Sequence, residues 1–308
     1  MFLWGKCILT IRPVAVVVTY QPDLSTLFKL LNSLDEQAVP VVIVDNGSSV
    51  DLTSVLAART GKPVQLRLLG ENRGIAAAQN EGLAWARKIG ASHVILFDHD
   101  SAPERDMVEK LLACEQSLSA AGYRVASVGP RYMDDRQNNP PPFIRVQAGR
   151  LKRCLSPEIG DAVSVDYLIA SGCLIPMGAL EVVGDMAADL FIDYVDIEWG
   201  QRARSMGYEN FGCFSAKMAH SLGDEPIRFL GTAYPARSPL RHYYMFRNAV
   251  LLYRMRHVPL EWKWADGLRG ILRFGFYALF AKPRLQHLKM MVRGVIDGLR
   301  GRSGKLVA

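Results

Sequence analysis

Two aspartates one residue apart, Asp98 and Asp100, have the spacing in this sequence that best suits metal chemistry. They follow the apolar run His93–Phe97, which predicts two carboxylates at the end of a buried strand. Such charges repel each other and are costly to bury unless a cation joins them. Carboxylates suit the hard cations Mg²⁺ and Mn²⁺, with diphosphate oxygens and water as further ligands. Alternatively, both aspartates cap the turn at Ser101-Ala102-Pro103.

A third aspartate, Asp45, closes the apolar run Val41–Val44. A carboxylate at that position can accept the ring N–H of uracil or thymine. The alternative is an Asx turn with Gly47 and Ser48, a local role for which aspartate is common. The two roles are compatible.

The tripeptide Asn72-Arg73-Gly74 precedes a helical pattern that ends near Gly90. Backbone N–H groups and the positive end of that helix would face a phosphate there, and Arg73 would add charge. The alternative is an ordinary loop that caps the helix.

A second acidic cluster contains Asp193, Asp196 and Glu198, followed by Trp199. Asp196 and Glu198 are too close in sequence to share a helix face, so their side chains should point differently. One of them could take a proton from a hydroxyl group as a general base. Helix N-capping by Asp193 or Asp196 explains the pattern equally well. His220 is a structural histidine unless the fold brings it to Asp100.

The elements that position these residues are short apolar strands alternating with helices, which indicates a mostly parallel sheet covered on both faces. In such sheets a ligand lies beyond the carboxyl ends of the strands, where the polar clusters fall. We expect a loop over 131–160, a strand over Tyr167–Pro176, a helix over Asp193–Ser205 and further helices after Pro239. The predicted early strands are Val14–Thr19, Val41–Val44, Gln65–Leu69 and His93–Phe97.

The charge of this chain of 308 residues is unevenly distributed about its net value of +7. From Arg237 onward there are 15 Lys and Arg against three acids, whereas residues 1–236 are mildly acidic. Five scattered cysteines without a CxxC pair fit a reducing cytoplasm. Lys6 and Arg12 interrupt the apolar N-terminus, so we expect no signal peptide, and no uncharged run suits a membrane span.

Several motifs together resemble the family-2 inverting glycosyltransferases, and in particular their bacterial rhamnosyltransferase branch. The resemblance covers about residues 14–224 and is carried by Val18-Thr19-Tyr20, Val44-Asp45-Asn46-Gly47-Ser48, Glu71-Asn72-Arg73-Gly74, Asp98-His99-Asp100, Ser171-Gly172-Cys173-Leu174-Ile175-Pro176 and Phe191-Ile192-Asp193-Tyr194-Val195-Asp196-Ile197-Glu198-Trp199-Gly200. It implies the GT-A fold, with a mostly parallel central sheet and a Rossmann-like N-terminal half. We expect a catalytic domain over 1–236, with a donor half at about 14–130 and an acceptor half at about 160–236. A basic helical extension would cover 237–308.

The resemblance also implies a role for each site residue. Thr19, Tyr20, Asp45, Asn72, Arg73 and Asp98 would bind the nucleotide sugar, and Asp98, Asp100 and His220 would hold Mg²⁺ or Mn²⁺. Asp196 stands where the family has its catalytic base, while Glu198, Asp193 and Trp199 would contact the acceptor. In the family an acid often precedes the catalytic base, but Val195 stands at that position here. Asp193 and Glu198 therefore remain alternatives to Asp196 as the base.

The expected reaction transfers L-rhamnose from dTDP-L-rhamnose, with inversion, to a glycan or glycolipid such as lipopolysaccharide or O-antigen. Basic and aromatic residues after Arg237 suit contact with an anionic membrane, at the cytoplasmic face of a bacterial inner membrane. Helices that pack on the catalytic domain with a solvated basic face are the alternative. A UDP-hexose donor, a nucleotidyltransferase and a nucleic-acid-binding protein are the competing functions, and we expect no nucleic-acid partner.

Overall fold

The computed structural model describes residues 12–133, 143–219, 227–229, 232–234 and 236–307. The strands are β1 (Pro13–Thr19), β2 (Val41–Asp45), β3 (Gln65–Leu68), β4 (His93–Asp98), β5 (Ala102–Pro103), β6 (Val125–Met133), β7 (Phe143–Gln147), β8 (Arg150–Cys154), β9 (Ala162–Val165), β10 (Cys173–Pro176), β11 (Glu209–Ala219), β12 (Ile227–Phe229) and β13 (Thr232–Tyr234). The helices are α1 (Leu24–Glu36), α2 (Leu52–Ala57), α3 (Ile75–Lys88), α4 (Met107–Ala120), α5 (Met177–Val183), α6 (Val195–Ser205), α7 (Pro239–Arg254), α8 (Leu260–Phe280) and α9 (Arg284–Leu299), with a 3₁₀ turn at Ala188–Leu190.

The central sheet runs in the order β3-β2-β1-β4-β10-β6-β11-β5, and β9 pairs with β11. The first four strands are parallel, as the alternation of strands and helices predicts. β10 is antiparallel to both of its neighbours. Because β1 lies between β2 and β4, the carboxyl ends of these strands meet at one edge, roughly 4.8 Å apart from strand to strand.

The sheet separates two hydrophobic clusters, and β1 shows how its sequence builds both. Val14, Val16 and Val18 enter the cluster that α3 also joins. Ala15 and Val17 enter the opposite cluster, which contains buried leucines of α1 and α4. Successive side chains of a strand point to opposite faces, so an unbroken apolar run fills both layers at once.

The helices expected after Pro239 are present, but α7 is not a peripheral extension. Its residues Met245, Phe246 and Ala249 belong to the same hydrophobic cluster as Val16 of β1 and Leu96 of β4. Position 236 therefore does not separate two cores. The basic segment begins with a helix that completes the layer over one face of the sheet.

Three local predictions differ from the structure. The expected loop at 131–160 contains the hairpin β7–β8, while Asn138–Pro142 lies outside the described residues. The expected strand over Tyr167–Pro176 is a strand only from Cys173. The expected helix over Asp193–Ser205 begins at Val195, because Asp193 and Tyr194 have φ values of 64° and 66°, outside the helical region. Of the helices in the described ranges, none combines the length and apolar character required to cross a bilayer.

Candidate active site

The carboxyl ends of β1, β2 and β4 bring the predicted donor-side residues together. Thr19 pairs with Asp45 across β1 and β2, and Val18 pairs with Asp98 across β1 and β4. Thr19 and Asp45 are buried, whereas the Tyr20 side chain beyond them is exposed. At this edge of the sheet, which we call the shelf, one carboxylate lies on each side of β1: Asp45 on β2 and Asp98 on β4.

Asp45 adopts the Asx-turn role that its sequence context allows. Its Oδ2 accepts hydrogen bonds from Ser48 N at 2.9 Å and from Gly47 N at 3.2 Å. Its Oδ1 accepts from Thr19 Oγ1 at 2.8 Å and from Ser48 Oγ at 2.5 Å. Four donors occupy a carboxylate that offers about four lone-pair sites. A nucleobase N–H would therefore have to replace one of the two hydroxyl groups, which can rotate away.

The Asn72-Arg73-Gly74 loop is fastened to the end of β2 by two amide side chains. Asn46 Oδ1 accepts from Arg73 N at 2.8 Å, and Asn46 Nδ2 donates to Asn72 Oδ1 at 3.2 Å. Asn72 Oδ1 also accepts from Gly74 N at 3.0 Å. The loops touch so closely that a Cβ atom at Gly47 would lie 2.6 Å from the Glu71 carbonyl carbon.

The expectation that backbone N–H groups at the start of α3 face a phosphate is wrong for the first three of them. Arg73 N and Gly74 N donate to Asn46 and Asn72, and Ile75 N donates to Phe191 O at 2.7 Å. The Arg73 side chain, in contrast, is 56% exposed and has Glu71 as a distant partner at 3.9 Å. Charge for a phosphate would therefore come from the guanidinium rather than from the helix end.

Asp98 and Asp100 follow β4 as expected, and both side chains are partly buried. Beneath them, Ser171 Oγ lies 2.5 Å from Ser101 Oγ and accepts from Asp98 N at 3.4 Å. Across the described ranges, no group of three His, Cys, Asp or Glu residues forms a complete metal site. His220 lies outside those ranges. Two carboxylates nevertheless fit a hard cation that takes its remaining ligands from phosphate and water.

Asp196 lies in the first turn of α6, where burial raises the pKa of its carboxyl group from 3.8 to about 6. A hydrogen bond from Ile197 N at 2.9 Å opposes that shift. The negative charges of Asp193 and Asp98 add to it, so Asp196 and Asp98 lie within electrostatic range of each other. A carboxylate with a pKa near 6 is ionised at pH 7 and is still basic enough to accept a proton.

The other members of the acidic cluster point elsewhere, as their spacing predicts. Glu198 is only 3% exposed and receives Arg202 Nε and Nη2 at 2.9 and 3.0 Å, with His257 Nε2 3.0 Å away. Trp199 is buried and donates from Nε1 to Gly184 O at 2.8 Å. Both side chains are held inside the protein, so the expectation that they contact an acceptor directly is wrong.

Asp193 is also committed, to two arginines of the basic segment. Arg237 Nη1 donates to its Oδ1 at 2.8 Å, and Arg241 Nε donates to its Oδ2 at 2.7 Å. The Asp193 side chain is only 10% exposed. Its surroundings indicate that it anchors cations rather than an acceptor hydroxyl.

The segment that leads into Asp196 has an unusual backbone, since Phe191, Asp193 and Tyr194 all have positive φ. Asn248 of α7 holds this segment by pointing Nδ2 at three carbonyl oxygens, those of Leu190, Ile192 and Asp193, at 2.8, 2.8 and 2.9 Å. Sequence analysis missed Asn248. The available signal was an amide and His242 within a helix that is otherwise largely apolar and aromatic.

Ring stacking and close packing also fix the position of the segment that leads into Asp196. The Phe191 ring stacks on Tyr244 at 4.8 Å between centroids. A Cβ atom at Gly74 would lie 2.5 Å from Phe191 O, so only glycine fits where α3 meets this segment. The Tyr194 hydroxyl donates to Asp266 Oδ2 of α8 at 3.0 Å. The start of α3, the segment that leads into Asp196 and the C-terminal helices α7 and α8 are thus in contact with one another.

Comparisons with known proteins identify a relative and folds similar to that of this chain. The chain is 33% identical to the "dTDP-rhamnosyl transferase RfbF" of Shigella flexneri over 94% of this chain and 96% of that protein. Its fold matches residues 1–349 of S. aureus TarS in complex with UDP-GlcNAc, with a TM-score of 0.58 and 16% identity, over 95% of this chain and 82% of that one. It also matches GalNAc-T7 with UDP, GalNAc and Mn²⁺, with a TM-score of 0.57 and 15% identity, over 78% of this chain and 47% of that one.

These structural neighbours, together with the parallel half of the sheet, confirm the GT-A fold. The profile of "Glycosyl transferase family 2" matches residues 14–163, the part that carries β1 to β4 and the aspartates at their ends. With a relative that is similar over nearly the whole length, the chain belongs to glycosyl transferase family 2 and is a glycosyltransferase.

Proposed function

We propose that this enzyme transfers L-rhamnose from dTDP-L-rhamnose to a hydroxyl group of a cell-surface glycan, with inversion at the anomeric carbon. The observation that carries the mechanism is the partly buried Asp196 carboxylate in the first turn of α6, with a pKa of about 6, in electrostatic range of Asp98. Support for rhamnose comes from the similarity to the S. flexneri rhamnosyl transferase over both chains.

Asp196 acts as the general base. Its carboxylate accepts the proton of the acceptor hydroxyl as that oxygen attacks the anomeric carbon from the face opposite the diphosphate. The bond from the anomeric carbon to the phosphate oxygen breaks in the same step, and dTDP leaves with both bonding electrons. A β-linked donor therefore gives an α-linked rhamnose.

Asp98 and Asp100 would hold Mg²⁺ or Mn²⁺ between the protein and the diphosphate. When bound, the cation neutralises negative charge that grows on the departing dTDP. Thr19, Tyr20, Asp45, Asn72 and the Arg73 guanidinium line the nucleotide side of the same shelf and are proposed to bind the nucleoside and its phosphates.

A panel of nucleotide sugars tests the donor. With Mg²⁺ or Mn²⁺ present, dTDP-L-rhamnose should raise the melting temperature and be hydrolysed slowly, while UDP-glucose, UDP-galactose and UDP-GlcNAc should have little effect. Asp98→Ala should abolish the metal-dependent part of the response. Stabilisation by a UDP-hexose without any by dTDP-rhamnose would show that the donor is assigned wrongly.

We further propose that α8 and α9 rest on an anionic membrane, at the cytoplasmic face of a bacterial inner membrane, and that the acceptor is linked to lipid. Both helices expose large apolar side chains, with Trp264 78% exposed. On α9 they recur every three or four residues, as one helix stripe requires. The exposed large apolar residues of the two helices are Leu260, Trp264, Leu268, Ile271, Leu272, Leu279, Phe280, Leu285, Leu288, Val292, Ile296 and Leu299.

The charge around these stripes favours a membrane as the partner. The three acids of this segment are already engaged: Glu261 accepts from Gly149 N, Asp266 from Tyr253 and Asp297 from Tyr243. With 15 Lys and Arg against these three acids, the segment keeps a strongly positive surface, which suits anionic headgroups. The two alternatives for the basic segment thus apply to different helices, since α7 packs on the catalytic core while α8 and α9 expose apolar stripes.

Vesicle sedimentation tests this surface. The protein should bind vesicles of phosphatidylglycerol and phosphatidylcholine more strongly than vesicles of phosphatidylcholine alone, and Trp264→Glu with Ile271→Glu should reduce that binding. Leu155→Glu is the matched control, because Leu155 is 70% exposed and lies outside α8 and α9. Wild-type binding unaffected by the double substitution would exclude these helices as the docking surface.

A further inference from the structure

Arg241 occupies the first turn of α7, next to the proposed site of chemistry. Its backbone N–H donates to Ser238 Oγ at 3.2 Å, as is usual near a helix N-cap. Its guanidinium grips Asp193 with two donors, Nε to Oδ2 at 2.7 Å and Nη2 to Oδ1 at 3.1 Å. Despite this pairing, the Arg241 side chain is 43% exposed, against 10% for Asp193. The arginine therefore has donors left for another partner.

The Arg241 guanidinium lies within electrostatic range of the two carboxylates that matter most for transfer. Burial lowers the pKa of Arg241, but the Asp193 carboxylate outweighs it, and Asp98 and Asp196 add to the upward shift. Asp193 is three residues before the base and carries Arg237 as well, at 2.8 Å. Arg237 and Arg241 of the basic segment are thus bound to Asp193, close to Asp98 and Asp196.

The charge balance of the reaction requires more cations than one metal ion. The charge of Asp193 is balanced by Arg237. Asp98, Asp100 and Asp196 are three further carboxylates, and a nucleoside diphosphate adds at least two negative charges. One divalent cation leaves this group negative, and like charges in a poorly solvated site repel strongly. A planar guanidinium matches phosphate oxygens with two parallel hydrogen bonds, which makes arginine well suited to the remaining charge.

We propose that Arg241 binds the β-phosphate of the sugar donor, and that Asp193 is the positioning residue that holds its guanidinium ready. The β-phosphate is the one attached to the anomeric carbon, so it must lie near the base that serves the attack on that carbon. This inference rests on the proposed function, because it needs a nucleoside diphosphate donor. It assigns a donor contact to the basic segment and replaces the acceptor role expected for Asp193.

Calorimetric titration with dTDP and with dTMP in the presence of Mn²⁺ separates a β-phosphate contact from a structural one. Arg241→Ala should weaken dTDP binding about tenfold or more, the usual loss for a charge-assisted hydrogen bond, and should leave dTMP binding unchanged. Arg241→Lys should recover part of the dTDP affinity, because lysine keeps the positive charge but lacks the two parallel N–H donors of the guanidinium. Asp193→Asn should weaken dTDP binding by less than Arg241→Ala and leave dTMP binding unchanged, because it loosens the hold on the guanidinium without removing it.

Arg254→Ala is the matched control on the same helix. Arg254 binds Gly298 O and Leu299 O at 3.1 and 2.8 Å, about 20 Å along α7 from Arg241. This variant should bind both nucleotides as the wild type does. If Arg241→Ala fails to fold, as loss of its thermal unfolding transition would reveal, Arg241→Gln and Arg241→Lys give the same comparison.

The outcomes separate this inference from the proposed function. Equal weakening of dTDP and dTMP binding in a folded Arg241→Ala variant would show that Arg241 only anchors Asp193. If the wild type binds UDP but not dTDP, the donor is assigned wrongly, and UDP with UMP tests Arg241 in the same way. Binding of neither diphosphate would overturn the proposed function and the Arg241 contact together.

Discussion

The two halves of the candidate site are held in place by different means. On the nucleotide side, Asp45 is fixed by Thr19 on the adjacent strand and by Ser48 in its own turn. On the base side, the segment before Asp196 depends on Asn248, which lies more than fifty residues further along the chain. The first half is assembled mainly by neighbouring strands and short loops, whereas the second requires partners from the C-terminal helices.

The backbone shows the same contrast. At Phe191, Asp193 and Tyr194 the φ values lie in the left-handed region, although none is glycine. Each such residue costs on the order of 1 kcal/mol and persists only where the surroundings enforce it. The nucleotide side uses Gly47 and Gly74 at two of its positive-φ positions, and Gln21, with a φ of 48°, is its single non-glycine example among the described residues. Strain is therefore concentrated beside the proposed base, where a fixed direction of the carboxylate matters most.

The strongest test of the base side is Asp196→Asn. Removing a general base should lower the transfer rate by roughly 10²- to 10⁴-fold, while dTDP binding with Mn²⁺ survives because the nucleotide side is unchanged. Initial rates and calorimetry measure the two properties. Asp185→Asn, which alters an acid paired with Arg87, should behave as the wild type. Undiminished turnover by Asp196→Asn would remove this residue from the mechanism.

Asn248→Ala should break the base side without touching the nucleotide side. The carbonyl groups of Ile192 and Asp193 lose a donor, whereas Leu190 O keeps Arg247 Nη2 at 3.0 Å. Each carbonyl left unpaired costs about 1 kcal/mol or more, so the melting temperature should fall. Because misplaced catalytic groups are costly, kcat should fall roughly tenfold or more at saturating donor. Donor affinity should hold. A loss confined to donor affinity would contradict the division into two halves.

Asn46→Ala should have the converse effect. Arg73 N and the Asn72 amide lose their partner, so the 71–74 loop loosens. We expect dTDP affinity to fall about tenfold, the loss of roughly one hydrogen bond, while kcat at saturating donor changes much less. Titration with dTDP and steady-state kinetics give both values. A fall in kcat as large as that of Asn248→Ala would show that the two halves are not separable.

The smallest expected effect concerns stability. Because burial raises the pKa of Asp196 from 3.8 to about 6, the folded state binds more protons than the unfolded state between these values. This group therefore costs stability as pH rises from about 4 to 6, and the full cost persists above pH 6. Asp196→Asn carries no charge, so it should melt a few degrees higher than the wild type at pH 7.5. Thermal unfolding should show the difference shrinking toward pH 4.5; a constant difference would contradict the raised pKa.

Sequence patterns predicted which residues of the proposed nucleotide side lie together, because the determinants of that arrangement are local. Apolar runs predict the strands, and the polar residues that end them must lie at one edge of a parallel sheet. That reasoning placed Thr19, Asp45 and Asp98 together, as the register of β1 with β2 and β4 confirms. Spacing also predicted that Asp196 and Glu198 diverge, which their different partners confirm.

Local patterns could not locate what depends on packing between distant elements. Glu198 and Trp199 were expected at the acceptor, but which face of α6 is buried depends on Arg202, His257 and the turn at Gly184. The basic and aromatic composition after Arg237 suggested a surface segment. Only the fold reveals that α7 turns Asn248 and Arg241 toward the site.

The dependence of the base side on distant partners has a consequence for how the enzyme is made. Gly304 N donates to Asp189 O at 2.6 Å, and Leu306 N donates to the Tyr244 hydroxyl at 2.8 Å. Chains emerge from the ribosome with the N-terminal part first. The strands that carry the nucleotide side are therefore made before α7, which completes their hydrophobic layer, and the base cannot be fixed until the segment around Gly304 has emerged. During synthesis the nascent chain should acquire catalysis only after α7 to α9 have been made.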